Sequence, residues 1–275
     1  MSATALRVHV IRHGRVDAHR GDAPVTQDGL LQAEAAGLRL AHELQAGEIV
    51  HFLHAPTRRT RETAEAIRRG MEAALGPSAP TPLSLKGHGG VHISPLPDEG
   101  ERQGVRERQV HLLPAAESWA LRNPDLYVAG ARVEMVSTAE AMAEQIPGSG
   151  LGPDELARLP FLHGFWTHPD RIGYWVGHPD PPGEDATTVA RRLLSFAASL
   201  LDLPWEQPRR CICVTHSGPM RALLRRYVLD DDPGEPEWVE SVDLIFAGDQ
   251  EVTIRYRERQ VTKALPRFPC GRTAR

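Results

Sequence analysis

The nine residues Leu6-Arg7-Val8-His9-Val10-Ile11-Arg12-His13-Gly14 decide how this chain is read. Leu6 to Ile11 alternates as a strand does, and the run stops abruptly at a charged turn, Arg12-His13-Gly14. A helix follows over Gly29 to Leu44, with Leu31, Ala35, Leu38 and His42 at helical spacing and Thr26 placed to cap it. Glu48 to Leu53 reads as a second strand. From Arg58 to Leu75 a second helix carries Thr60, Ala64, Ile67, Met71 and Leu75 on one face, and Gly76 is placed to end it. Strand, helix, strand, helix at these lengths predicts a parallel sheet covered on both faces.

Moving outward, the pattern breaks. Prolines and glycines crowd the stretch from Gly76 to Gly100, and Arg102 to Phe165 is polar with short helical pieces such as Thr138 to Ile146. We read residues 76–182 as an inserted cap that sets substrate specificity. Order returns with a helix over Asp185 to Leu201, with Val189, Leu193, Phe196 and Leu200 inward. A buried strand follows over Arg210 to Thr215, then a helix over Pro219 to Leu229. Val242 to Ala247 and Val252 to Tyr256 form a hairpin around Gly248-Asp249. The basic, proline-bearing residues 258–275 are expected to fray as a flexible tail. The expected fold is α/β: one three-layer α/β/α domain over 1–275, with a mostly parallel central sheet and an inserted cap.

Composition excludes several classes. At 275 residues, 41% hydrophobic and 25% charged, the chain has the make-up of a globular protein, neither collagen-like nor wholly disordered. No apolar run approaches the ~20 residues of a membrane-spanning helix, and the N-terminus carries Arg7 and His9 inside its apolar stretch, unlike a signal peptide. A net charge of −4 gives no electrostatic case for nucleic acid or an anionic membrane. Three cysteines are too few for a disulfide framework. Cys211 and Cys213 share one face of a strand and read as buried thiols in a reducing compartment, which implies a cytoplasmic protein. Arginine supplies almost all the positive charge, so the arginines must argue from position.

Three segments fall where strands give way to helices, the edge at which open α/β sheets gather ligands. They are Arg12-His13-Gly14, the run Ala55-Pro56-Thr57-Arg58-Arg59-Thr60-Arg61-Glu62-Thr63-Ala64, and Val214-Thr215-His216-Ser217-Gly218-Pro219. Two histidines and at least two arginines would converge there with helix N-termini, whose free N–H groups and positive dipole ends favour an anion. Arginine's planar, permanently charged donors suit a phosphoryl group best.

The chain resembles the histidine phosphatase superfamily, also called phosphoglycerate mutase-like. Arg12-His13-Gly14 is similar to its hallmark triplet, and Val25-Thr26-Gln27-Asp28-Gly29-Leu30-Leu31-Gln32-Ala33 to its L-T-x-x-G-x-x-Q-A segment. Pro56, Arg59, Thr63 and Ala64 match S-P-x-x-R-x-x-x-T-A, with Ala55 replacing Ser. Gly183-Glu184 resembles G-E-S, with Asp185 replacing Ser, and Thr215-His216-Ser217-Gly218 the late histidine segment. The five motifs occur in the family's order. They cover residues 6–75 and 183–229, and the middle third is unmatched.

The resemblance implies a phosphatase without cofactor or metal. His13 would attack phosphorus to give a phosphohistidine. Arg12, Arg59 and His216 would hold and neutralise the phosphoryl oxygens, with Ser217 beside them. Arg58 and Arg61 read as solvated. His19 stands where the family usually has Asn, and is carried as a candidate phosphate contact. Thr26 divides evenly between helix cap and phosphate contact. For the general acid we favour Glu99, with Asp98, Glu101 and Glu117 as the other candidates. A zinc site at His88 and His92 is disfavoured by the glycines between and beside them. His168-Pro169-Asp170 and His178-Pro179-Asp180 read as two similar turns, or as part of an aromatic flap over the pocket. The expected function is hydrolysis of a small phosphomonoester. Phosphoglycerate mutase-type transfer and a catalytically weak phosphate-binding module are the alternatives. The expected partner is a small-molecule phosphate ester, with a homodimer as an option, and neither nucleic acid nor a membrane.

Overall fold

The computed structural model describes residues 6–17, 22–76, 110–203, 207–248 and 250–265. Its centre is a seven-stranded mixed sheet. β1 (Leu6–Arg12), β2 (Ile49–His54), β3 (His111–Glu117) and β6 (Arg209–Thr215) run parallel, in the order β3-β2-β6-β1. β7 (Ser241–Phe246), β8 (Glu251–Tyr256) and β9 (Arg259–Ala264) then continue from β1 as an antiparallel meander. Short turns can join only antiparallel strands. The parallel half therefore carries the crossover helices and the meander needs none.

The sheet has a helical layer on each face because alternate strand residues point to opposite sides. Ile11, Val50, Phe52, Ile212 and Val214 pack against α1 (Gln27–Ala41) and α2 (Arg58–Leu75). Val8, Val10, Cys211 and Cys213 pack against α7 (Ala186–Ser199) and α8 (Ser217–Leu224), which supply Leu193, Met220 and Leu223. The two thiols share a face and are buried, and burial pushes Cys211 up to about 12 and Cys213 well above the usual thiol range.

The α1 helix forms as predicted but on a different face. Leu31 and Leu38 are exposed, and the inward residues are Gly29, Ala33, Ala36, Gly37 and Ala41. Close helix approach is the reason. A Cβ on Gly37 would lie 2.0 Å from the Ile67 carbonyl oxygen, and one on Gly70 would lie 2.0 Å from that of Glu34. The α1–α2 seam therefore runs backbone to backbone, with no room for leucine. Gly76, at φ +77°, ends α2 as expected.

Two readings need correction. His111–Glu117 lies inside the stretch read as an insertion, yet it is an edge strand of the main sheet, so residues 76–182 are not one separate cap. Its sequence, His-Leu-Leu-Pro-Ala-Ala-Glu, conceals it, because Pro114 is tolerated only where a ladder partner is missing, as at an edge. Residues after Arg257 were expected to fray, but Arg259–Ala264 pairs with β8 over its full length. Tail residues 266–275 lie outside the described residues.

Beyond β3 the chain forms a small hairpin, β4 (Leu126–Val128) and β5 (Ala131–Val133), turned by Ala129 and Gly130 at positive φ. Four short helices follow: α3 (Ala139–Ala143), α4 (Pro153–Arg158), α5 (Pro160–Thr167) and α6 (Arg171–Gly177). Their cluster of Met142, Leu156, Phe161, Phe165 and Trp175 is continuous with Val189 and Ala222 of the α7 and α8 layer. Glu184 ties the region's two ends together: its carboxylate accepts from the Asp125 N–H at 2.8 Å and pairs with Arg192. No helix among the described residues is long and apolar enough to cross a membrane.

Candidate active site

β1 and β6 are parallel neighbours with Arg12 opposite Thr215, so the chain leaves both strands at the same height. The His13 N–H donates to the Thr215 carbonyl at 3.0 Å. This register brings together two rings more than 200 positions apart. The centroids of His13 and His216 are 5.3 Å apart, edge to face at 68°, and both residues are buried. His13 Nδ1 lies 2.8 Å from the carbonyl oxygen of Gly14. A carbonyl only accepts, so Nδ1 carries a proton, and in the neutral ring Nε2 then keeps its lone pair. The imidazole is thus held in the tautomer a nucleophile needs.

α2 is locked to this turn by a hydroxyl relay. The Gly14 N–H donates to Thr63 Oγ1 at 2.9 Å, and that hydroxyl donates to the Arg59 carbonyl at 2.7 Å. A Cβ on Gly14 would lie 3.0 Å from the Gly29 carbonyl oxygen, so α1 closes from behind. Burial lowers the Arg59 pKa, opposed by the carboxylates of Asp22 and Glu134. Its buried Nε has no hydrogen-bond partner among the described residues.

Arg12 is buried against a segment the sequence did not mark, residues 230–240. Its NH1 donates to the Pro236 carbonyl, its NH2 pairs with Glu235 at 2.5 Å, and its backbone N–H reaches the Glu240 carbonyl at 3.0 Å. The Trp238 ring lies 3.5 Å from the guanidinium carbon and 5.4 Å from the His13 ring. Burial lowers the Arg12 pKa, while Glu235 and Glu237 act to raise it.

His216 is the N-cap residue of α8, so the helix opens toward the same place. Ser217 Oγ donates to Glu235 Oε2 at 2.6 Å. One turn on, fully buried Arg221 meets three carboxylates: Asp170 at 2.6 Å, Asp232 through Nε at 2.8 Å, and Glu235 at 3.3 Å. Burial opposes its charge, but the Asp232 and Asp170 hydrogen bonds outweigh this and raise its pKa.

Arg12, His13, His216 and Ser217 are thus gathered at one edge, with Arg59 tied in through Thr63. Thr26 is the N-cap of α1, its hydroxyl accepting from the Gly29 N–H at 3.1 Å. Arg58 is exposed and pairs with Glu62, and Arg61 is exposed. Glu117 ends β3 beside His54 at the end of β2, on the strand edge that carries Arg12 and Thr215. His19, Asp98, Glu99 and Glu101 lie outside the described residues, as do His88 and His92. In each of the two His-Pro-Asp turns the Asp N–H donates to the histidine Nδ1, and the first also sets Asp170 against Arg221. Sequence reasoning missed Thr63 as a link, and Arg221, Glu235 and Trp238 altogether. The only signal for the last two was an acidic, proline-bearing run, which by itself reads as a loop.

Residues 8–78 match the family model described as histidine phosphatase superfamily (branch 1). No curated protein matches the chain. Among solved structures, mycobacterial hydrolase 1 is similar at 20% identity over 91% of this chain and 96% of that one, with a TM-score of 0.45. A mycobacterial glucosyl-3-phosphoglycerate phosphatase is similar at 20% identity over 88% and 90%, TM-score 0.43. A phosphoglycerate mutase from Bacillus anthracis str. Sterne is similar at 12% identity over 96% and 94%, TM-score 0.45. The stretch that matches this family model, residues 8–78, contains Arg12, His13, Thr26 and Arg59.

Proposed function

We propose that this chain hydrolyses a small phosphomonoester through a phosphohistidine on His13. The observation that carries the reading is the His13 ring, fixed through Nδ1 to the Gly14 carbonyl at 2.8 Å, with the His216 ring 5.3 Å away. In the first step Nε2 attacks phosphorus and the bond to the ester oxygen breaks. That oxygen takes its proton from a carboxylic acid. In the second step water attacks the phosphohistidine, the same carboxylate accepts the water's proton, and inorganic phosphate leaves. Arg12, Arg59 and His216 stabilise the oxygens on which charge develops, with Ser217 near them. These donors supply the positive field, so the reading calls for no metal or cofactor.

We assign the proton donor to Glu117, the carboxylate at the strand edge that carries the histidines. Glu99, favoured on sequence, is the candidate to test against it.

The test is a screen of phosphate esters with wild type, His13→Ala and Arg59→Ala. Loss of turnover in His13→Ala, and a fall of about 100-fold or more in Arg59→Ala, are the expected results. Full activity in His13→Ala overturns the assignment. Incubation with 3-phosphoglycerate separates the two chemistries: free phosphate supports hydrolysis, whereas isomerisation without net phosphate release makes the protein a mutase.

A further inference from the structure

The segment from Asp230 to Glu240, Asp-Asp-Asp-Pro-Gly-Glu-Pro-Glu-Trp-Val-Glu, lies against Arg12 and His13 and is held there by its backbone. The Pro236 and Glu240 carbonyls both accept from Arg12, and Asp232 pairs with Arg221. The Glu240 carboxylate accepts from the Glu237 N–H at 2.7 Å and from Tyr256 at 3.1 Å. Pro233 and Pro236 fix φ on either side of Gly234 and Glu235. This frame sets the Glu235 side chain against three donors. Glu235 puts Oε1 on Arg12 at 2.5 Å, and Oε2 on Ser217 at 2.6 Å and Arg221 at 3.3 Å.

We propose that the Glu235 carboxylate is a built-in occupant of the phosphate seat, which must swing out before a phosphoryl group can engage Arg12, and that it thereby sets the affinity for substrate and product alike. The inference rests on the reading that Arg12 and the start of α8 hold phosphate. A carboxylate that accepts from a guanidinium, a hydroxyl and a second guanidinium has the contacts of an oxyanion ligand. A phosphate dianion and this carboxylate cannot share one guanidinium at contact distance without like-charge repulsion. Both Glu235 oxygens are used as acceptors, which argues against Glu235 as the proton donor. The side chain is 47% exposed, so a rotamer change alone takes it into water while the backbone frame stays.

The consequence is quantitative. An internal competitor weakens every ligand that needs the seat by one common factor, because only the fraction of molecules with the seat open can bind. Removing it should lower the dissociation constant of phosphate and the KM for an ester equally, without raising kcat.

The experiment compares wild type, Glu235→Gln and Glu237→Gln, using calorimetry with inorganic phosphate and kinetics with p-nitrophenyl phosphate. Glutamine keeps the size and an acceptor for Ser217 but removes the charge. The expected result for Glu235→Gln is phosphate binding tightened by about tenfold or more, with KM lowered by the same factor. Glu237→Gln, on the same segment, should change phosphate binding by no more than about twofold. Glu235→Gln within about twofold of wild type, or weaker, overturns the proposal, and if turnover persists the phosphatase reading stands without it. Equal tightening in Glu237→Gln also overturns it, because the effect is then general charge. Tighter phosphate binding without turnover in any form supports the internal competitor and sinks the phosphatase. Failure of both wild type and Glu235→Gln to bind phosphate overturns both.

Discussion

The hydrogen bond from His13 Nδ1 to the Gly14 carbonyl leaves the lone pair of the neutral ring on Nε2, and the neighbours of this turn decide whether that nitrogen is aimed. Thr63 is the most informative of them, since its hydroxyl accepts from the Gly14 N–H and donates to α2. Thr63→Val keeps the shape and leaves a buried N–H without its partner, at a cost of about 1–3 kcal/mol. We expect a lower melting temperature and a drop in kcat larger than the change in KM, read from melts and steady-state kinetics on the same preparation. At Glu117 the expectation is different. Glu117→Gln should lose about 100-fold or more in kcat on an alkyl phosphate, whose leaving oxygen needs a proton. With p-nitrophenyl phosphate, whose leaving group needs none, a burst of nitrophenol should precede slow turnover. An unchanged rate on the alkyl ester would move the acid elsewhere, with Glu99 first in line.

Among the elements, the α1–α2 pair carries the most constraint. Gly37 and Gly70 let the two helices approach until a methyl group would meet a carbonyl at 2.0 Å. Gly37→Ala gains helix propensity, worth about 1 kcal/mol, but forces the backbones apart. We expect the clash to win, with a net loss of about 1–3 kcal/mol and a melting temperature several degrees lower. Melting above wild type would show that the seam can open. Because α1 backs Gly14 and α2 carries Arg59, the same variant should also lose activity at temperatures where it remains folded.

Across the whole molecule, arginine–carboxylate pairs link distant segments. Fully buried Arg210 donates to Glu48 at 3.0 Å and lies 3.2 Å from His9, whose other nitrogen meets Asp243 at 2.8 Å. Arg210 also pairs with Glu43 at 3.1 Å, so Glu48→Gln removes one of its two carboxylates and should cost about 1–3 kcal/mol in chemical denaturation. Several carboxylates are held below their usual range. For Asp170 the chief cause is the Arg221 hydrogen bond. For Asp243 burial acts upward, but the His9 bond and nearby positive charge outweigh it. Asp125 and Glu240 follow the same pattern through Arg122 and Arg257. A depressed folded-state pKa contributes stability above the unfolded value, and that stability is lost as pH falls through the folded one. Melting temperature should therefore hold from neutral pH to about 5 and fall steeply below about 4. A flat profile to pH 3 would contradict these pairings.

The sequence by itself determined the elements whose periodicity is strong, namely β1, α2, β6, α7 and the β7–β8 hairpin, together with the strand-end placement of Arg12, His13, Arg59 and His216. These are local properties: side-chain period and turn chemistry act within a few residues. Tertiary structure alone decided what depends on a neighbour far along the chain. It turned α1 onto its small-residue face, because α2 comes too close for leucine there. It also set His111–Glu117 as an edge strand and paired Arg259–Ala264 with β8, since hydrogen-bonded partners make those strands despite a weak pattern. And it drew Glu235, Trp238 and Arg221 into the site. A charge or a ring in a loop carries no periodicity, and only the packed chain fixes what it faces.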